Sequence, residues 1–170
     1  MDVIDCDGRV VLGTVYAGVD SLASALVDRA RRIPSAMQYP YAAVRAVLTC
    51  RPSRYDLVVD GVRHRADAYT VVVANSGYYG SGMHVAPAAV ADDGMLDVVV
   101  VRAASKLALV RSLPRLYDGS HVELDAVSVL RGREVSLRSD RPVTAYGDGE
   151  PLAPLPVTAS VRPGRLNVLA

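Results

Sequence analysis

The chain has 170 residues, about half of them hydrophobic, and a formal net charge of +1. That length suits one domain with a substantial core, and the near-neutral charge excludes a global basic field for nucleic acid. No apolar run reaches membrane-spanning length, so the only membrane contact left open is peripheral.

Phe and Trp are absent, so the core must come from Val, Leu, Ala and nine Tyr. Cys6 and Cys50 lack metal-ligand spacing and are too few for a disulfide scaffold. Reduced, structural thiols and a cytoplasmic setting are the expectation. Met1-Asp2-Val3 opens acidic, without the basic stretch of a signal peptide.

In chain order, Asp5-Cys6-Asp7-Gly8 reads as a turn and residues 10–16 as a strand. Asp20 or Ser21 is placed to cap a helix running to about Ile33, where Pro34 ends it. A second helix spans residues 41–50 and stops at Pro52. Residues 55–59 and 62–66 form a hairpin around Asp60-Gly61, and residues 68–74 form the next, buried strand. A centre rich in Gly, Asn and Pro follows, then a strand over residues 96–102. Residues 105–117 carry a helical stripe that Pro114 must kink or end. Residues 122–130, 134–139, 143–146, 157–161 and 166–169 read as short strands. The spacing predicts a mainly β fold, a β-sandwich with about three short helices packed on it.

Two stretches could carry chemistry. Asp92-Asp93-Gly94-Met95-Leu96-Asp97 is either a tight turn or a hard-cation site, a carboxylate and backbone carbonyls making an oxygen cage for Mg²⁺ or Ca²⁺. Asp148-Gly149-Glu150 is either a plain hairpin turn or a rigid tip presenting Glu150 as a general base across a cleft. His64, His84 and His121 are isolated and read as structural. The run from Gly77 to Gly82 looks superficially like a phosphate loop, but no amphipathic helix follows to supply an N-terminus. The Arg29, Arg31, Arg32 and Arg131, Arg133 clusters read as solvated faces, with anionic lipid or phosphate as the alternative.

Taken together, these segments resemble one family. The order Val73-x-Asn75-x-x-Tyr78-Tyr79-Gly80-x-Gly82-Met83, then Ala86-Pro87-x-Ala89, Asp92-Asp93-Gly94-x-Leu96-Asp97, Asp118-Gly119-x-His121 and Asp148-Gly149-Glu150 is similar to the C-terminal domain of the diacylglycerol kinase and sphingosine kinase-like lipid kinases. The resemblance runs from Ala17-Gly18-Val19-Asp20 to Val161-Arg162-Pro163. It implies a β-sandwich forming one wall of a cleft with an N-terminal nucleotide-binding domain. It also implies a structural Mg²⁺ held by the Asp93 carboxylate and the Val90 and Met95 carbonyls, and Glu150 as proton acceptor. Phosphoryl transfer needs mainly positioning, charge neutralisation and a carboxylate for the attacking hydroxyl.

The Gly-Gly-Asp-Gly-Thr nucleotide loop of that family is missing from these residues. Residues 1–170 are therefore expected to be a single C-terminal domain of a longer ATP-dependent kinase, inactive alone, whose partner lies N-terminal to residue 1. Its acceptor would be a lipid hydroxyl, on diacylglycerol or a long-chain base. Two alternatives stay open: a non-catalytic lipid- or partner-binding module, and a relative of NAD kinases.

Overall fold

The computed structural model of the chain describes residues 1–29, 35–80 and 82–167. Its strands are β1 (Val3–Cys6), β2 (Arg9–Val11), β3 (Thr14–Gly18), β4 (Ser53–Val59), β5 (Val62–Ala74), β6 (Leu96–Arg102), β7 (Val127–Gly132), β8 (Glu134–Ser139), β9 (Thr144–Gly147), β10 (Glu150–Pro154) and β11 (Val157–Arg162). The helices are α1 (Val19–Arg29), α2 (Ser35–Thr49), α3 (Lys106–Ser112) and α4 (Arg115–Asp118). A 3₁₀ turn, Ser120–Glu123, follows α4.

Strand β5 organises the fold. Residues Thr70 to Ala74 pair with β3, and Ala68 to Ala74 with β6. Its first half, Val62 to Ala68, pairs with β4. One layer is therefore β10-β9-β3-β5-β6-β7 and the other β5-β4-β8-β11-β1-β2, with every pairing antiparallel. The register shift between Ala68 and Thr70 lies where β5 passes from one layer to the other. Side chains that alternate along strands fill the space between the layers: Val15, Ala17, Val71, Val73 and Val98 from one, Ile4, Leu57, Val135, Leu137 and Ala159 from the other.

The burial of β5 explains its sequence. The first half alternates exposed and partly buried residues, while Ala68–Ala74 is buried throughout. A strand covered on both faces reads as a continuous apolar run. The second cover is the 75–95 loop and the helices. Val85 and Ala86 of the loop pack on Tyr16, Val72 and Val99. Helices α1, α2 and α3 form an adjoining cluster on Val19, Ala46, Val47 and Tyr69. The expected sandwich with helices laid on it is the observed architecture.

Several local expectations are corrected. The turn expected at Asp5 to Gly8 is only Asp7-Gly8, both at positive φ. Val3–Cys6 is a strand, because β11 and β2 pair on its two sides. The single strand expected over residues 10–16 is two, broken at Leu12-Gly13. The two strands expected over residues 62–74 are one, continuous through Asp67. Helix α2 begins at Ser35 and contains Pro40. Pro114 interrupts the third helix as expected, dividing it into α3 and α4. A 3₁₀ turn replaces the start of the strand expected from Val122, and β10 was not expected at all. The helix end expected at Ile33-Pro34 and the Arg31 and Arg32 positions lie outside the described residues. So does most of the strand expected at residues 166–169; Leu166 and Asn167 are not in a strand.

Candidate functional site

A cavity of about 330 Å³ lies between the outer face of the first layer and its helical cover. Its floor is Tyr16, Thr70, Val72 and Val101; its walls include Asp20 and Ala23 of α1, Val47 of α2, Leu109 of α3 and Met83 of the loop. These residues lie on the outer face because β3 and β5 alternate. Val15, Ala17 and Val71 point into the sandwich, so Tyr16, Thr70 and Val72 point away from it. Tyr16 stacks on Tyr146 at 6.0 Å between centroids and meets Tyr79 edge-on at 5.8 Å, so the cavity floor and the loop are locked together.

With Asp148, Asp20 is one of two acidic residues in the lining. The Thr70 hydroxyl donates to its Oδ2 at 2.8 Å. Burial pushes its carboxyl above the usual range, opposed by the hydrogen bonds from Thr70 and Tyr79. His121 is buried at another part of the lining, where Nε2 donates to the Val85 carbonyl at 3.0 Å. Burial lowers its pKa, so its ring is neutral at pH 7.

Glu150 begins β10 at the tip of the β9–β10 hairpin and is exposed. Asp148 and Gly149, at φ 48° and 96°, make the turn, and both line the cavity. The Asp148 carboxylate accepts three backbone N–H groups: Leu12 at 2.7 Å, Gly13 at 3.0 Å and Thr14 at 2.9 Å. Glu150 thus follows two lining residues in sequence, on a tip pinned to the β2–β3 turn.

Asp93 lies in the turn before β6. Its Oδ1 accepts the Met95 N–H at 2.9 Å and its Oδ2 pairs with Arg131. Asp97, opposite Arg131 in the β6–β7 register, is buried, and that burial raises its pKa against the influence of Arg131. Among the described residues no hydrogen bond reaches the Val90 or Met95 carbonyl, and no three His, Cys, Asp or Glu side chains cluster as metal ligands. The donor chemistry, a carboxylate and two open carbonyls, suits a hard cation. Asp93 Oδ2 is free for one only when the Arg131 guanidinium moves aside.

No described hydrogen bond or ion pair joins Asp93 directly to Glu150, but a chain of backbone and side-chain bonds links their turns. The Asp2 carboxylate accepts the Gly94 N–H at 2.8 Å, and the Asp2 carbonyl accepts Asn75 Nδ2 at 2.9 Å. The Asn75 N–H reaches the Gly13 carbonyl at 2.8 Å, and the Gly13 N–H reaches Asp148.

The comparisons with known proteins agree with this architecture. Residues 13–170 match the model for the YegS C-terminal NAD kinase beta sandwich-like domain. The chain belongs to that family. It is 35% identical over 159 residues to a diacylglycerol kinase of Mycobacterium tuberculosis, covering 92% of this chain and 51% of that protein. It is 25% identical to the putative lipid kinase YtlR of Bacillus subtilis, covering 76% of this chain and 42% of that one. A putative diacylglycerol kinase from Bacillus anthracis shares the fold at a TM-score of 0.72 and 20% identity, covering 96% of this chain and 54% of the other. The chain spans about half the length of the relatives it matches.

Within this YegS-type domain the sequence motifs converge. Asp148 and Gly149 line the cavity with Glu150 next in sequence, Asn75 anchors the loop, and His121 closes part of the lining. Sequence reasoning did not single out Asp20 as a cavity residue or Asp148 as the tip anchor. Asp20 looked like a helix cap, although Ser21 is the residue that accepts the Gly18 N–H, at 3.3 Å. The available signal was an acidic residue between Val19 and Leu22, both of which pack inward. His121 was read as structural; it is buried and also faces the cavity. Cys6 and Cys50 are both free thiols, as expected.

Proposed function

We propose that this domain is the acceptor side of an ATP-dependent lipid kinase, and that it is inactive without an N-terminal nucleotide-binding domain. The observation carrying this reading is the cavity with Asp148-Gly149 in its lining and Glu150 beside them. The apolar walls suit part of an acyl or sphingoid chain, with the hydroxyl of a diacylglycerol-like lipid or long-chain base held toward Glu150. Glu150 then takes the hydroxyl proton as the oxygen bonds to the γ-phosphorus of ATP. The bond from that phosphorus to the β–γ bridging oxygen breaks, and ADP leaves. The kinase names of the full-length relatives support the same chemistry.

Mg²⁺ held by Asp93 and the Val90 and Met95 carbonyls would brace the turn before β6. A cytoplasmic enzyme with peripheral membrane contact fits the reading: among the described residues no helix is long and apolar enough to cross a membrane.

The test is a kinase assay on the chain joined to its N-terminal domain, with ATP and diacylglycerol or sphingosine. Turnover is expected, and Glu150→Ala should lower kcat by about a hundredfold or more while leaving the melting temperature unchanged. Full turnover in Glu150→Ala would remove Glu150 from the mechanism. No phosphorylation of any hydroxyl lipid would remove the kinase reading and leave a lipid-binding module.

A further inference from the structure

The outer face of the second layer carries a groove of about 570 Å³ that shares no lining residue with the cavity. Strand alternation sets its composition. Leu57, Leu137 and Ala159 point into the sandwich, so Asp56, Val58, Ser136, Arg138 and Thr158 point out of it. The pairing registers bring them together with β5 in two adjacent rows. Arg65, Asp56 and Arg138 lie side by side across β5, β4 and β8. Arg63, Val58, Ser136 and Thr158 lie side by side across β5, β4, β8 and β11.

On this face most guanidinium groups meet a carboxylate: Arg54 pairs with Asp67, Arg65 with Asp56 at 2.6 Å and Arg162 with Asp5. Arg63 and Arg138 are exposed, and among the described residues no hydrogen bond or ion pair reaches either side chain. The two acidic groups of the groove are already engaged. Asp56 holds Arg65, and the Asp7 carboxylate accepts the Thr158 N–H at 3.3 Å. Three guanidinium groups therefore outnumber two carboxylates, and two of the three are open. Ser136 Oγ and Thr158 Oγ1 lie 3.0 Å apart between them and the groove's end. One hydroxyl donates to the other, and the second keeps its own proton for a further acceptor.

We propose that this groove binds a phosphate group, free or carried by a small molecule, with Arg63 and Arg138 on the phosphate oxygens and the Ser136–Thr158 hydroxyl pair beneath. Planar guanidinium forks match phosphate oxygens with paired N–H donors, and a hydroxyl supplies a further one. The volume is that of a small-ligand pocket and leaves room for more than a bare phosphate. The sandwich core separates this face from the cavity, so the ligand is an effector and not the acceptor. The inference goes beyond the kinase reading and does not depend on it.

The experiment is titration calorimetry of the chain with sodium phosphate and with ADP, at about 50 mM salt, with sodium chloride added to matched ionic strength as the control. Binding is expected, weakening as salt is raised. Arg63→Gln and Arg138→Gln should each weaken it about fivefold or more, and the two changes together should remove it. Asp56→Asn takes a carboxylate from between Arg65 and Arg138, so it should tighten binding about threefold. Arg54→Gln loses the same charge on the same face outside the groove and should bind as the parent does. ADP binding more tightly than phosphate identifies a nucleotide as the source, and equal affinities identify phosphate itself; the arginine variants uphold the site in both cases.

No binding of either ligand up to about 10 mM, or equal loss in Arg54→Gln, would overturn the proposal. So would sedimentation showing a dimer that Arg138→Gln dissociates, since a second copy then covers the groove. Each substitution is on an outward-facing strand position, and melting curves of the variants separate a lost site from a lost fold. Kinase activity of the joined protein does not enter the test, so the failure of either reading leaves the other standing.

Discussion

Asn75 and Asp148 hold the same residue. Gly13 gives its carbonyl to the Asn75 N–H at 2.8 Å and its own N–H to Asp148 Oδ1 at 3.0 Å. Two motifs far apart in the chain are thus joined through a turn belonging to neither. A Cβ at Gly13 would stand 3.0 Å from Asp148 Oδ1 and 3.3 Å from Ser76 Oγ, so the close approach favours glycine.

Asp148→Ala removes the acceptor of three amides and should destabilise the fold by about 2 kcal/mol. Asp148→Asn, which keeps an acceptor oxygen, should lose about half of that. Urea unfolding measures both. In the joined enzyme each change should reduce turnover more than the stability loss alone explains, because Glu150 rides on the same tip. Unchanged stability in Asp148→Ala would mean that the three bonds do not hold the hairpin.

Gly18 joins β3 to α1 at φ 132°, and a Cβ there would collide with the Tyr69 carbonyl and stand 2.8 Å from Thr70 Cα. Both obstacles are backbone of β5. Gly18→Ala should therefore cost about 3 kcal/mol or more, or prevent folding. Gly61→Ala meets no atom within 4 Å and should cost only its positive-φ strain, about 1 kcal/mol. Thermal melting of the two variants should rank them in that order.

Asp20 contributes a pH dependence with a defined sign. Burial raises its folded pKa above the unfolded one, so its contribution is fully present below the unfolded value, about 3.9, and is lost as pH rises through the folded value. Asp20→Asn keeps an oxygen for Thr70 but cannot ionise. The stability of the parent relative to this variant should fall as pH rises above about 4. Denaturant titrations at several pH values read the difference, and a gap independent of pH would show that Asp20 is not desolvated.

The Asp93 turn sets Arg131 against any bound cation. Mg²⁺ should raise the melting temperature of the parent modestly, and chelator should reverse it. Arg131→Met frees Asp93 Oδ2, so its melting temperature should fall without Mg²⁺ and respond to Mg²⁺ more strongly than the parent's. Calorimetry with Mg²⁺ gives the affinities directly. No effect of Mg²⁺ on either protein would remove the metal from this turn.

The sequence determined the elements whose signals are local. The Asp60-Gly61 hairpin, the β6 valines and the mainly β spacing were legible because turn chemistry and strand alternation act over a few residues. The ordered motifs also identified the family, and they marked Asp93 and Glu150 as residues to examine. Only the tertiary structure decided that β5 serves two layers and that Val3–Cys6 is a strand between β11 and β2. It alone placed Asp20, His121 and Gly149 around one cavity. Pairing partners and the cover over an outer sheet face come from residues distant in sequence, and no local pattern encodes which of them meet.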